Sequence, residues 1–222
     1  MDGAGALFAD FVTALGDTVT PLVVSYPATE PLDYAGLTEF ARSRLPRDRP
    51  FVLLGESFSG PVAIALAASR PPGLAALILS CTFARNPTPA FSMFKHALGA
   101  LPVSPAFTGL IAPFMLGSSS TPALRGALRA AVGQATAAVM RGRMRAVLDV
   151  DYSAQMRAVQ VPILYLQAAQ DRVVLAGSAR HLQTLHAGIE LVRLRGPHLL
   201  LQAAPADTAS AVKRFLGTLQ RV

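Results

Sequence analysis

Charge is scarce in this 222-residue chain: Asp, Glu, Lys and Arg together make up 15% of it. Yet 52% is hydrophobic and mean hydropathy is +0.42. Disorder needs the opposite balance, low hydrophobicity with high charge, and is excluded. There is one cysteine, Cys81, so no disulfide scaffold can form within the chain. Long hydrophobic runs are missing too. Phe51–Leu54 and Leu74–Leu79 fall well short of the roughly 20 apolar residues that span a bilayer. The start, Met1-Asp2-Gly3-Ala4-Gly5, lacks the positive segment of a secretory signal. The expectation is a cytoplasmic protein with no membrane span and a reduced Cys81. Lysine is almost absent, Lys95 and Lys213 being the only two, so the net charge of +7 rests on arginine. With no lysine-rich tail and no zinc-ligand spacing, no nucleic-acid partner is expected.

Short β-like runs alternate with helical patterns at both ends of the chain. Val19–Tyr26, Phe51–Gly55, Leu74–Phe83, Val161–Gln167 and Ile189–Leu194 read as strands. Most are continuously apolar, as strands covered on both faces are. Leu7–Leu15, Leu37–Leu45, Pro61–Ser69, Gly177–Leu185 and Asp207–Leu219 read as helices. This alternation predicts an α/β domain, a mostly parallel sheet with helices on both faces. From about 84 to 159 no strong strand appears. Pro-rich turns there give way to a long helical pattern over Ala123–Leu148, predicting a helical insertion within one domain spanning 1–222.

The sharpest local signal is Gly55-Glu56-Ser57-Phe58-Ser59-Gly60, directly after one predicted strand and before one predicted helix. Small neighbours let the backbone fold back tightly and raise the Ser57 hydroxyl above the sheet. The Phe58 N–H then points toward whatever Ser57 attacks, at a helix start that favours negative charge. A serine needs a base held by a third group. Of four histidines, His96 falls in the insertion, and His181 and His186 fall on or beside a helix. His198 follows Arg195-Gly196-Pro197 just beyond a strand, where open α/β sheets place their ligands. Asp171 stands just beyond the preceding strand, in Asp171-Arg172-Val173-Val174. Helix capping or pairing with Arg172 is its structural alternative, and Asp149 and Asp151 are weaker candidates for the acid.

These residues resemble the α/β-hydrolase superfamily, whose nucleophile elbow reads G-x-S-x-G and whose order of Ser, Asp, His matches Ser57, Asp171, His198. Ser59 departs from the last glycine, with Gly60 one place on. The resemblance implies an α/β-hydrolase fold with a helical cap. It also implies a serine hydrolase of carboxylesterase type that needs no metal or cofactor, acting through a Ser-His-Asp triad and an acyl-enzyme. Dehalogenase chemistry is not expected, since it needs aspartate where Ser57 stands. The superfamily draws a second oxyanion donor from a loop after an earlier strand. Met1–Leu7 looks like the tail of that loop, so Met1 and Asp2 join Phe58 as oxyanion candidates. The strand before it is missing from the sequence, which leads us to expect a chain that starts late.

The insertion carries Phe91, Met93, Phe94, Leu98, Phe107, Leu110, Ile111, Phe114, Met115, Met140 and Met144. Most are expected to pack the cap onto the sheet, with Phe114, Met115, Met140 and Met144 facing substrate. Methionine and phenylalanine suit irregular acyl chains, so a small to medium apolar acyl ester is expected. The insertion is also basic, through Arg125, Arg129, Arg141, Arg143, Arg145 and Arg157. A solvated helix face explains such a run. Docking of an acidic carrier protein is the sharper reading, by similarity to esterases that cleave methyl esters of carrier-bound acyl chains. Thioester, amide or lactone cleavage, perhydrolysis and a non-enzymatic or impaired protein of the same fold are the alternatives. A monomer or homodimer is expected.

Overall fold

The structure is a computed structural model that describes residues 5–90 and 105–219. Four parallel strands form its sheet: β1 (Phe51–Glu56), β2 (Leu74–Ser80), β3 (Ile163–Ala168) and β4 (Ile189–Leu194), in the order β1-β2-β3-β4. Parallel neighbours require crossovers, and each is helical. α1 (Ala9–Leu15) and α2 (Tyr34–Arg42) precede β1, and α3 (Gly60–Ala68) joins β1 to β2. Between β2 and β3 come α4 (Pro105–Leu116), α5 (Pro122–Gly133), α6 (Ala137–Asp149) and α7 (Ser153–Ala158). α8 (Ala176–Leu185) joins β3 to β4, and α9 (Leu200–Ala203) and α10 (Pro205–Leu219) follow.

The period of two along the strands sorts the core into two layers. Ala76 and Ile78 of β2 and Leu164 and Leu166 of β3 face α1, α9 and α10, through Phe11, Leu15, Leu200, Val212 and Phe215. Leu77, Leu79, Ile163 and Tyr165 face the other way, onto Ile64 of α3, Met156 of α7 and Leu182 of α8. Both faces of the central strands are therefore dry, which is why their sequences are continuous apolar runs. α3 is buried nearly all round. Ile64 meets the sheet, while Val62 and Leu66 meet Tyr34, Leu37 and Ala41 of α2. Asp33 caps α2 by accepting a hydrogen bond from the Gly36 N–H at 2.8 Å.

Three expectations need correction. Val19–Tyr26 has no regular secondary structure and joins no ladder. Leu22 there is 62% exposed, Pro21 lacks an N–H, and no neighbouring strand is present among the described residues to pair with it. The strand read as Leu74–Phe83 ends at Ser80, because Cys81 turns into a left-handed conformation at φ 46°. The helical pattern over 123–148 is two helices. The first ends at Gly133, and Thr136 opens the second by accepting from the Val139 N–H at 3.2 Å. The base of the insertion is tied by an antiparallel bridge between Arg85 and Asp151, with Tyr152 N–H donating to the Ala84 carbonyl at 2.7 Å.

Cys81 is buried under the sheet's C-terminal rim. Burial, with the carboxylates of Asp171 and Glu56 nearby, pushes its thiol well above the ordinary cysteine range. The folded protein is expected to resist thiol-specific alkylation at mildly alkaline pH and to react fully in denaturant. Stoichiometric alkylation without denaturant, followed by mass spectrometry, would contradict this placement.

Candidate active site

β1, β3 and β4 each end at the same rim, and a chemistry-bearing side chain follows each. Ser57 follows β1 directly and adopts φ 51°. For a residue with a Cβ that conformation is uncommon and costs about 1–3 kcal/mol, so the surroundings must enforce it. Two glycines provide the space. A Cβ on Gly60 would overlap the Thr82 side chain, and one on Gly55 would come within 2.8 Å of Ala63 Cβ and 2.9 Å of the Ser59 carbonyl oxygen. Thr82 Oγ1 donates to the Ser57 carbonyl oxygen at 2.5 Å. Thr82 is itself clamped, since its N–H donates to Tyr165 Oη at 3.2 Å and its carbonyl accepts from the same hydroxyl at 2.9 Å. A tyrosine on β3 thus holds the turn that follows β1.

Ser57 Oγ lies 2.7 Å from His198 Nε2. His198 Nδ1 lies 2.9 Å from Asp171 Oδ2 and 3.0 Å from Oδ1. A carboxylate only accepts, so Nδ1 carries the proton and Nε2 is left to receive the serine proton. Asp171 Oδ1 also accepts from the Val173 and Val174 N–H groups, both at 2.8 Å, which fixes the carboxylate in its loop. Arg172 is exposed. The two loops are laced together, Ala169 N–H donating to the Leu194 carbonyl at 2.8 Å and Gln170 N–H to the Gly196 carbonyl at 3.0 Å. His198 is 0% exposed, so its ring nitrogens meet Ser57 and Asp171 out of contact with bulk water. Ser57 is the half-buried member, at the mouth.

The weaker candidates lie elsewhere. Asp151 accepts from the Ser153 N–H, and His181 Nε2 lies 3.3 Å from Ser153 Oγ. The Ser153 hydrogen bonds hold the Asp151 carboxyl below the usual range, and burial lowers His181. Asp149 and Asp151 line an open surface cleft of about 470 Å3 that does not include Ser57. His96 lies outside the described residues, as do Met1 and Asp2. Among the described residues no three of His, Cys, Asp and Glu group closely enough to hold a metal ion.

Ser57 opens into a small cavity of about 70 Å3. Its apolar wall comes from Ile111 and Met115 of α4, Leu128 and Val132 of α5, Met140 of α6, and Leu7, Phe8, Val23 and Val24. Met115 and Met140 are thus at the cavity. Phe114 is not: it is 52% exposed and off the cavity wall. Met144 is half-buried and off the wall, and Phe91, Met93, Phe94 and Leu98 lie outside the described residues. Arg143 leaves the basic face altogether, fully buried with its guanidinium donating to the Pro27 carbonyl at 2.9 Å.

The cavity floor is polar, formed by Tyr26, Glu56, Ser57, Ser59 and Gln202. Ser59, the departure from the glycine pattern, hydrogen-bonds Tyr26, whose phenol is raised by burial against that bond and the Arg143 charge. Sequence reasoning missed Glu56, Thr82, Tyr165 and Gln202. Glu56 had a signal, a charged residue inside an apolar strand end. Thr82 and Tyr165 had none, because their role depends on strand register.

Residues 31–191 match the hydrolase family model described as serine aminopeptidase, S33. The chain belongs to this family of α/β hydrolases. No curated protein matches it. A solved hydrolase from Pseudomonas aeruginosa PA01 is similar over 87% of this chain and 75% of its own, at 26% identity and a TM-score of 0.73. A bromoperoxidase from Bacillus anthracis shares the fold at 14% identity, over 96% of this chain and 88% of that one, with a TM-score of 0.78. An enol-lactonase from Burkholderia xenovorans LB400 does so at 17% identity, over 98% and 86%, with a TM-score of 0.72. The hydrolase has no helix among its described residues long and apolar enough to cross a membrane.

Gly60→Ala is expected to destabilise the elbow by about 1–3 kcal/mol or more, since the new methyl meets Thr82 rather than a flexible chain end. Urea unfolding should show a lower midpoint at unchanged slope. An unchanged midpoint would mean that the turn is not packed as described.

Proposed function

We propose that this hydrolase cleaves carboxylic esters of small apolar acyl groups, with Ser57 as nucleophile, His198 as general base and Asp171 as its orienting carboxylate. The observation that carries this reading is the linked pair of hydrogen bonds, 2.7 Å from Ser57 Oγ to His198 Nε2 and 2.9 Å from His198 Nδ1 to Asp171 Oδ2. In the proposed reaction, Ser57 Oγ attacks the ester carbonyl carbon and its proton passes to His198 Nε2. The imidazolium is stabilised by Asp171. The carbonyl oxygen becomes an oxyanion facing the Phe58 N–H, one of the first N–H groups of the helical turn that begins at Ser57 and therefore without a partner inside it. Collapse breaks the bond to the alkoxide, which leaves with the proton from Nε2. Water then attacks the acyl-enzyme, His198 takes its proton, and Ser57 Oγ recovers that proton as the acid departs.

Small acyl groups are favoured by size. The cavity of about 70 Å3 is far below the ~300–1,000 Å3 of pockets for drug-sized ligands. Met1 and Asp2 remain the proposed source of a second oxyanion donor. Ser57→Ala is expected to lower kcat/KM for p-nitrophenyl acetate by at least about 10³-fold and to abolish the burst. Asp171→Asn is expected to cost about 10³–10⁴-fold with the fold intact. A fluorophosphonate probe should label the wild type at Ser57 alone. Wild-type turnover in Ser57→Ala would overturn the assignment.

Exposed Arg125 and Arg129 on α5 and Arg145 on α6 favour an acidic carrier protein as the vehicle of the acyl group. With such a carrier-bound ester, kcat/KM should fall steeply between low and physiological salt, while a small free ester should be nearly insensitive. Equal salt dependence for both would remove the docking role.

A further inference from the structure

Gln202 lies on α9, four residues past His198, and Glu56 immediately precedes Ser57. Both line the cavity into which Ser57 opens. Gln202 Nε2 donates to Glu56 Oε2 at 2.9 Å, and the Leu201 N–H donates to Glu56 Oε1 at 3.3 Å. Because a carboxylate accepts and does not donate, this contact fixes which end of the amide is which. The NH2 end is committed to Glu56, and the carbonyl end is turned away from it. That carbonyl oxygen, Gln202 Oε1, is buried on a residue only 7% exposed and has no hydrogen-bond partner. A buried acceptor without a donor is costly and calls for an explanation; on a residue that lines the cavity, a donor carried by a ligand is one that would satisfy it.

We propose that Gln202 Oε1 is a specificity determinant that accepts a hydrogen bond from a hydroxyl on the acyl chain, at a carbon close to the ester carbonyl. This rests on the reading of Ser57 as the acylated nucleophile. Proximity follows from the chain, since Glu56 adjoins Ser57 and holds Gln202, and the cavity leaves room only for a short acyl group. A hydroxyl suits the site better than an ammonium. Beyond the polar floor the wall is apolar, Leu7, Phe8, Val23 and Ile111 among it, and stripping water from a cation costs more there than from a neutral donor. The Glu56 carboxylate beside Gln202 would favour a cation but already accepts from the Leu201 N–H and the Gln202 amide, and the alaninate ester tests that alternative. The substrate class is then the α-hydroxyacyl ester. Sites that hydrogen-bond a substrate hydroxyl discriminate against its deoxy analogue more strongly than apolar pockets discriminate by size.

The test compares kcat/KM for p-nitrophenyl lactate, propionate and alaninate, each normalised to its rate with hydroxide. Wild-type protein is expected to prefer the lactate ester over the propionate by about tenfold or more, and Gln202→Met to bring the ratio near one. A wild type without that preference, a Gln202→Met protein that keeps it, or an alaninate preferred over lactate overturns the inference. Binding gives a readout that needs neither turnover nor the Gln202 variant. Ligand-observed NMR on Ser57→Ala should show lactamide bound at least about tenfold more tightly than propionamide. Equal binding of the two overturns the inference even if Gln202→Met fails to fold. If lactamide is preferred but no ester is cleaved by the wild type, the nucleophile assignment fails and the hydroxyl site stands.

Discussion

The left-handed backbone of Ser57 is the condition on which the site geometry rests. At φ 51° the residue cannot continue either β1 or α3, and its hydroxyl is thrown clear of both. Left alone, an L-residue would relax out of this conformation, gaining about 1–3 kcal/mol. It is held because relaxation would have to displace Thr82, and Thr82 cannot move without breaking two buried hydrogen bonds to Tyr165. The strain after β1 is therefore balanced by a phenol on β3, with Thr82, two residues past the end of β2, between them. Burial pushes the Tyr165 phenol far above its ordinary range, so the brace stays a neutral donor–acceptor at any pH the fold survives.

Two buried carboxylates approach this rim, and their surroundings separate their work. Asp171 is held by the Val173 and Val174 N–H groups and turns both oxygens toward the imidazole. Glu56 lies next to Ser57 in the chain but is engaged by the Leu201 N–H and the Gln202 amide. It thereby holds Leu201 and Gln202, in the segment that follows His198. Position in sequence would have suggested the reverse, since the nearest acid to the nucleophile is Glu56. In the proposed triad the carboxylate must meet Nδ1, and Asp171 is the one hydrogen-bonded there.

The fold and the polar chain were legible for the same reason: their signals are local. Continuous apolar runs of strand length, each followed by a helical period, dictate a parallel sheet wherever they occur. Ser57, Asp171 and His198 were each found at the end of such a run, where the sheet itself brings them to one rim. What was not legible depends on partners. Val19–Tyr26 has strand composition, yet a strand exists only when another backbone accepts its hydrogen bonds. Thr82 and Tyr165 face each other because Leu79 is in register with Tyr165, a fact of pairing that no single segment encodes. The cavity wall was half-read. Met115 and Met140 could be inferred from their residue type, whereas Leu7, Phe8, Val23 and Val24 belong to segments whose path in space has no signature in their own sequence.

The wall and the floor of the cavity differ in origin, and this separates reactivity from selectivity. Ser57, Asp171 and His198 stand just past strand ends whose positions the ladder fixes, as the proposed proton transfer requires. The wall is contributed by the insertion and by irregular chain before β1, where substitution changes shape without disturbing the sheet. The two are nonetheless joined at one point. The Leu199 N–H donates to the Met115 carbonyl at 3.0 Å, so the residue after His198 is anchored to the last turn of α4. Met115 also presents its side chain to the cavity. The residue that follows His198 and a residue of the cavity wall therefore share one anchor, so in the proposed reaction the fit of an acyl group at the wall and the placement of His198 are linked through Met115.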